Sequence, residues 1–217
     1  MKRGAIFDMD GTLFDTEKCY FQAWLDAAEE FGEARNPAVP TAAAGTNMGE
    51  QTIRIVKKFY PNIDAEKYIA RVLEFAREVP KKDLVLMAGV EDILKFFEAA
   101  GVSMAVASSA PVAVIENNLE RVNLRGYFKA LVGGDKVQHG KPAPDIFLLA
   151  AKELNLAASD CYIFEDSFNG IRAANASGGA AIMIPDQFPP TEEIKKLCAA
   201  IYPSLIEARR VVERGEI

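Results

Sequence analysis

Ala5-Ile6-Phe7-Asp8-Met9-Asp10-Gly11-Thr12 is the stretch on which the fold turns: three apolar residues give way at once to two carboxylates, a glycine and a threonine. An apolar run too short for a helix, closed by turn residues, reads as a buried strand emptying into a tight loop. Three further runs have this shape: Val102 to Ala107 before Ser108-Ser109, Cys161 to Phe164 before Glu165-Asp166, and Ala180 to Ile184 before Pro185-Asp186. Each is apolar nearly throughout, as expected of strands covered on both faces by helices. Helix-period segments lie between them, with Val90, Ile93, Leu94 and Phe97 before Gly101, and Ile146, Leu149, Ala150 and Leu154 after Pro144. This alternation predicts an α/β fold with a doubly wound parallel sheet, whose carboxyl edge collects the polar residues at the strand exits.

From about Thr16 to Leu86 the alternation stops and only helical periodicity remains. Tyr20, Trp24, Ala27, Ala28 and Phe31 mark one apolar stripe ending at Gly32; Tyr68, Ile69, Val72, Phe75 and Val79 mark another ended by Pro80. Asn36 to Pro40 and Thr46 to Gly49 read as loops. The predicted organisation is an α/β core from residues 1–15 and 87–217, interrupted by an all-helical insertion over 16–86.

Composition narrows the function classes. Half of the 217 residues are apolar and 26% are charged, a globular balance that excludes disorder and low-complexity architectures. No apolar run reaches the ~18 residues of a membrane span, and Met1 to Asp10 meets an acidic residue before a signal-peptide core could form. The expectation is a cytoplasmic protein without a membrane partner. A net charge of -6 opposes a nucleic-acid partner. Cys19, Cys161 and Cys198 are widely spaced, with no CxxC or Cys/His pairing, which fits incidental thiols rather than a zinc site. His139 is the single histidine and reads as a loop or packing residue.

The chemistry rests on oxygen donors and one lysine. Asp8 and Asp10, two apart at a strand exit, would repel and raise one pKa unless a cation sits between them; the pair therefore indicates a metal site or a protonated acid. Helix N-capping is the plainer alternative for such a doublet. Glu165-Asp166 supplies a second acidic pair, and hard oxygen ligands without His or Cys select Mg²⁺. Lys141 stands in Gly140-Lys141-Pro142-Ala143-Pro144-Asp145, whose two prolines restrain it for pairing with a carboxylate or phosphate. A surface lysine in a rigid turn is the bland reading. Ser108-Ser109, before Pro111 of the next helix, would cap that helix or bind an oxyanion.

Together these elements resemble the haloacid dehalogenase-like hydrolase superfamily over nearly the whole chain. Asp8-Met9-Asp10-Gly11-Thr12 is similar to its first motif, Ser108 to its second, Lys141 to its third and Glu165-Asp166-Ser167 to its fourth. The insertion after the first motif resembles the helical-cap subgroup of β-phosphoglucomutases and small phosphate-ester phosphatases. The resemblance implies a Rossmann-like core with a helical cap and in-line attack by Asp8 on phosphorus, giving an aspartyl-phosphate. Asp10 is implied as acid and then base. It further implies Mg²⁺ held by the Asp8 carboxylate, the Asp10 carbonyl and Asp166 with Glu165 nearby. Phosphoryl oxygens would be held by Ser108, Lys141 and amides around Met9, Asp10 and Ser109, with Thr12 bracing the loop.

Asp10 favours phosphoryl transfer over dehalogenation. Thr16 and Lys141 to Phe147 resemble β-phosphoglucomutase, whereas Tyr20 replaces a histidine typical of those mutases. Ala44 to Glu50 also lacks the basic residues that would hold a second phosphate. The expected activity is hydrolysis of a small phosphate monoester of the sugar or polyol class, with a mutase as the alternative. A phospho-accepting signalling domain is disfavoured by the insertion and by Asp10, which would hasten loss of the phosphoryl group. Substrate contacts are expected from Tyr20, Trp24, Thr46, Asn47, Met48 and Glu50. The expected partner is that small molecule, and the chain is expected as a monomer or weak dimer.

Overall fold

The structure, a computed structural model, describes residues 1–43, 50–78, 84–186 and 189–217. The chain divides into two compact units, Met1–Phe14 with Val85–Ile217, and Asp15–Leu84.

The first unit is the expected α/β fold. Its sheet contains β1 (Gly4–Phe7), β2 (Ser103–Ser108), β3 (Ala130–Gly133), β4 (Cys161–Glu165), β5 (Ala180–Met183) and β6 (Ala200–Ile201). The spatial order is β3-β2-β1-β4-β5-β6, with every pairing parallel. From β1 the chain builds outward to one side through β2 and β3, then crosses back to start β4 on the other. The order therefore reverses between β1 and β4, the kind of switch point at whose carboxyl ends open α/β sheets bind their ligands. The readings of β1, β2, β4 and β5 hold to within a residue or so at their ends, while β3 and β6 are strands that the sequence pattern did not reveal.

Alternation along the strands sends side chains to two covered faces. Phe7 stacks on Phe164 with ring centroids 4.7 Å apart and 13° between planes, and meets the edges of Phe97 and Phe128. Phe97 belongs to the helix Val90–Ala99, so this helix closes the aromatic face. On the other face Ile6, Ala105, Ala107, Val132 and Ile163 pack against Ile146, Phe147, Ala150 and Ala151 of the helix Asp145–Glu153. Small residues in β2 admit the larger side chains of that helix, which brings it close over the middle of the sheet. Phe14 bridges Leu86 in antiparallel fashion, so the two ends of the interruption lie side by side.

The second unit contains, among the described residues, only helices: Thr16–Glu30, Ala38–Ala43, Glu50–Phe59 and Ala65–Glu78. Its core gathers Ala23, Trp24, Ala27, Val39, Val56 and Tyr68, with the Tyr68 hydroxyl donating to the Trp24 carbonyl at 2.8 Å. Two readings need correction. Ala38 to Pro40 is helical rather than loop: the Asn36 carboxamide accepts the Ala38 N–H, and Pro40 sits in the first turn where a missing N–H costs little. Tyr20 lies outside the buried stripe and is exposed. Thr46 to Gly49, Val79 and Pro80 lie outside the described residues.

Candidate active site

Because all six strands run the same way, each strand exit delivers its next residues to one edge. Asp8 follows β1, Ser108 ends β2, and Glu165-Asp166 ends β4. The Asp8 amide continues the ladder by donating to the Phe164 carbonyl at 2.9 Å, which fixes Asp8 beside β4 before the chain turns. The turn is tight: Leu13 and Phe14 both donate to the Met9 carbonyl, and Gly11 donates to Phe14. Gly11 takes φ +81°, and a Cβ there would stand 2.7 Å from the Asp166 carboxyl carbon, so glycine is required both by conformation and by contact.

Lys141 is the centre of the cluster. Its ammonium donates to Asp8 Oδ1 at 2.5 Å and to Glu165 Oε1 at 2.6 Å, and lies 4.9 Å from the centroid of the Phe147 ring. Its side chain is 7% exposed, so the lysine is far from the solvated turn residue of the bland reading. The Glu165 carboxylate is held from its other side by the Ser167 N–H at 2.6 Å and the Ser167 hydroxyl at 2.9 Å. That hydroxyl in turn accepts the Gly170 N–H, capping the helix Phe168–Ala176. Gly170 lies so close to Glu165 that a Cβ would overlap its carboxylate.

Asp8, Glu165 and Asp166 bring one carboxylate oxygen each to within 4.8 Å of one another. Burial pushes the Asp8 carboxyl up to about 8; Lys141 opposes this, while Glu165 and Asp10 reinforce it. Burial, with Glu165 and Asp8 adding like charge, pushes Asp166 up to about 9. For Lys141, burial works against the ammonium, but Asp8 and Glu165 together hold its pKa above the ordinary value. One ammonium is thus set against three clustered carboxylates, with Asp10 adding further negative charge. The donor set consists wholly of hard oxygens, which fits Mg²⁺ and does not fit zinc or copper. His139 takes no part: it is exposed and its Nδ1 lies 3.0 Å from Asp145 Oδ1.

The remaining expected residues divide. Ser108 is buried at the same edge, and its hydroxyl accepts the Ala110 N–H at 3.1 Å rather than capping the following helix; Ser109 is exposed beside it. Met9 is buried and Asp10 exposed at the turn after β1. Thr12 is fully buried, and its hydroxyl has no hydrogen-bond partner among the described residues, so packing rather than a hydrogen-bonded brace describes its place. Trp24 is enclosed in the core of the helical unit, which accounts for it without a ligand. Tyr20 and Glu50 are exposed on that unit, and Thr46, Asn47 and Met48 lie outside the described residues. Gly170 entered the site unannounced, and Phe147 is marked only as the end of the Lys141 to Phe147 run, since an apolar helix residue and a glycine carry no chemical signature of their own in a single sequence.

A parallel sheet of order 3-2-1-4-5-6 with an acidic cluster and a buried lysine at its switch point defines a Rossmann-type enzyme core built around carboxylate chemistry. The model of the haloacid dehalogenase-like hydrolases matches residues 5–184, and the chain belongs to that family. It is 34% identical over 173 residues to the phosphorylated carbohydrates phosphatase of Thermotoga maritima, covering 80% of each chain. It is 33% identical over 179 residues to the fructose-1-phosphate phosphatase YqaB of Escherichia coli, covering 82% of this chain and 94% of the relative. Among solved structures, a provisional beta-phosphoglucomutase from Thermotoga maritima superposes with a TM-score of 0.84 at 29% identity over 99% of both chains.

Proposed function

We propose that this enzyme hydrolyses a small phosphate monoester, of the sugar or polyol class, through an aspartyl-phosphate on Asp8. The observation that carries the reading is the buried Asp8–Lys141–Glu165 bridge at the sheet's switch point, with Asp166 completing an oxygen cluster. The names of the two phosphatase relatives support the substrate class.

In this reading an Asp8 carboxylate oxygen forms a bond to phosphorus as the bond from phosphorus to the substrate oxygen breaks, and Asp10 gives its proton to the departing alcohol. Water then attacks phosphorus, Asp10 takes up its proton, and inorganic phosphate leaves with Asp8 restored. Lys141 favours the ionised form of a nucleophile that burial would otherwise keep protonated. The Ser108 hydroxyl, the Lys141 ammonium and the amides around Met9, Asp10 and Ser109 hold the non-reacting phosphoryl oxygens. Mg²⁺, held by Asp8, Asp166 and the Asp10 carbonyl with Glu165 beside them, would supply the positive charge that lets one anion approach another.

A screen of small phosphate esters with Mg²⁺ or with EDTA tests this. Metal-dependent phosphate release is expected, and Asp8→Asn is expected to fold yet lose turnover; wild-type rates in that variant would reject covalent catalysis. The likeness to the provisional mutase favours phosphoryl transfer between sugar hydroxyls as a second reading. Product analysis separates the two: free phosphate marks the hydrolase, an isomerised sugar phosphate the mutase.

A further inference from the structure

The segment leaving β3 makes contacts that the chemistry above does not use. Ser108 and Gly133, the last residues of β2 and β3, pair in register, and beyond them the two exit loops fold against each other. The Gly134 N–H donates to the Ala110 carbonyl at 3.0 Å. Asp135 Oδ1 accepts the N–H of Val112 at 3.0 Å, the first residue of the helix Val112–Arg121. Pro111 occupies the N-cap of that helix and provides no side-chain hydrogen bond, so the cap comes from an aspartate 23 positions downstream.

The approach is as close as the backbone allows. A Cβ on Gly133 would lie 2.5 Å from the Val112 nitrogen and 2.6 Å from the Ala110 oxygen, and one on Gly134 would lie 2.5 Å from the Ser109 oxygen. These two glycines let a side chain and a backbone amide grip the Ser108–Ala110 loop from outside. The gripping segment then runs through Gly140 to Lys141, whose ammonium rests on Asp8. One continuous stretch therefore anchors two of the groups assigned to the phosphoryl oxygens. Asp135 is exposed and does not touch the Asp8 cluster, and its charge also suits the positive end of the helix it caps.

We propose that Asp135, seated by Gly133 and Gly134, is a positioning residue that sets the Ser108–Ala110 loop in its phosphoryl-binding pose; this rests on the phosphatase reading above. A cap that served stability alone would lower the melting temperature and leave phosphate recognition intact. The comparison uses Asp135→Ala, Asp135→Asn and, as a matched cap loss elsewhere, Ser204→Ala, since the Ser204 hydroxyl accepts the Ile206 N–H at the helix Leu205–Glu213. Each is assayed, where folded by circular dichroism, for kcat and KM on an ester the wild type cleaves and for inhibition by inorganic phosphate.

A misplacement near 1 Å can cost about 10²-fold, so Asp135→Ala is expected to weaken phosphate inhibition and lower kcat/KM by at least about tenfold. Asparagine caps as well as aspartate, so Asp135→Asn should recover both to within about threefold. Ser204→Ala should lose stability with both constants unchanged. Wild-type constants in Asp135→Ala, equal losses in Ser204→Ala, or no recovery in Asp135→Asn would each overturn the proposal while leaving an active wild type and its phosphatase reading in place. A wild type that neither cleaves any ester nor binds phosphate would remove both.

Discussion

Replacing Lys141 by methionine probes whether this ammonium is what makes the acidic cluster tolerable. The side chains it joins are almost fully enclosed, Asp8 at 8% exposure and Glu165 at 1%. Removing one member of a buried ion pair costs about 3–5 kcal/mol, because the partner stays desolvated and unpaired. In a chain of this size each kcal/mol moves the melting temperature by about 2–4 °C, so Lys141→Met should melt about 6–20 °C lower in EDTA at mildly alkaline pH. The pH dependence has a definite sign. Burial holds Asp8 at about 8 and Asp166 at about 9, so both bind protons more readily folded than unfolded. Their contribution is full below the ordinary carboxylate range and is lost as pH rises through those folded values. Lys141 opposes the rise at Asp8; without it Asp8 keeps its proton, and the loss continues, to higher pH. The lysine itself, held above its ordinary value, is charged in both states across this range and adds no slope. The gap between wild type and variant should therefore widen in circular-dichroism melts as pH rises through about 8, where Asp8 of the wild type gives up its proton and Asp8 of the variant does not. A gap that does not grow above about pH 8, or is absent at the alkaline end, would refute the assignment of a buried, shared ammonium.

Three further outcomes are expected. Alanine at position 170 would gain about 1 kcal/mol of helix propensity, yet its Cβ would overlap the Glu165 carboxylate and overpacking costs about 1–3 kcal/mol. Gly170→Ala should therefore melt lower and lose activity through the displaced Glu165–Lys141 contact, whereas a hotter-melting, fully active variant would contradict the packing. Mg²⁺ at 100 times its dissociation constant should stabilise the chain by about 2.7 kcal/mol where protons do not compete. Because protons on Asp8 and Asp166 do compete, the gain at a fixed Mg²⁺ concentration should be larger at about pH 8 than at about pH 6; equal gains would remove those carboxylates from the donor set. Tyr68→Phe leaves the buried Trp24 carbonyl without its hydroxyl donor and should cost about 1–3 kcal/mol in melting experiments with kcat unchanged. A fall in kcat at unchanged stability would instead bring this tyrosine into the chemistry.

What could be read from the chain in advance follows from length and from what lies at strand ends. The strands β1, β2, β4 and β5 are apolar runs bounded by polar turns, and three of these runs deliver Asp8, Ser108 and Glu165 directly. Ala130–Gly133 is four residues entered from a short helical turn, and Ala200–Ile201 is two partly buried residues at the sheet's edge, too few for a period to register. The acidic residues and Lys141 were legible because a parallel sheet must bring strand exits to one side. Asp135 was not, since a cap acting across 23 residues depends on two loops meeting in space. Phe147 is likewise visible in the sequence only as the last residue of the Lys141 to Phe147 run, with nothing there to mark it as a neighbour of the ammonium.

The placement of the cluster explains why so much charge is gathered in so little space. At the switch point β1 and β4 are paired neighbours, so their exits place Asp8 beside Glu165 and Asp166 at one edge of the sheet. Three carboxylates there exceed what one ammonium neutralises, and the metal-free protein is expected to answer by retaining protons, as the raised Asp8 and Asp166 values indicate. In the mechanism proposed above, a proton on Asp8 would block its attack on phosphorus. A divalent cation bound by oxygen atoms would displace those protons and free Asp8 at neutral pH, which makes the same excess of charge unfavourable in the resting fold and useful in the loaded one. Phosphate-monoester hydrolysis needs accelerations of up to about 10²¹-fold, of which the acid–base work proposed for Asp10 would supply about 10²–10⁴. The larger share must then reside in the charges fixed around Asp8, so their removal should weigh more heavily on turnover than the loss of Thr12, a buried threonine whose hydroxyl bonds to no described residue.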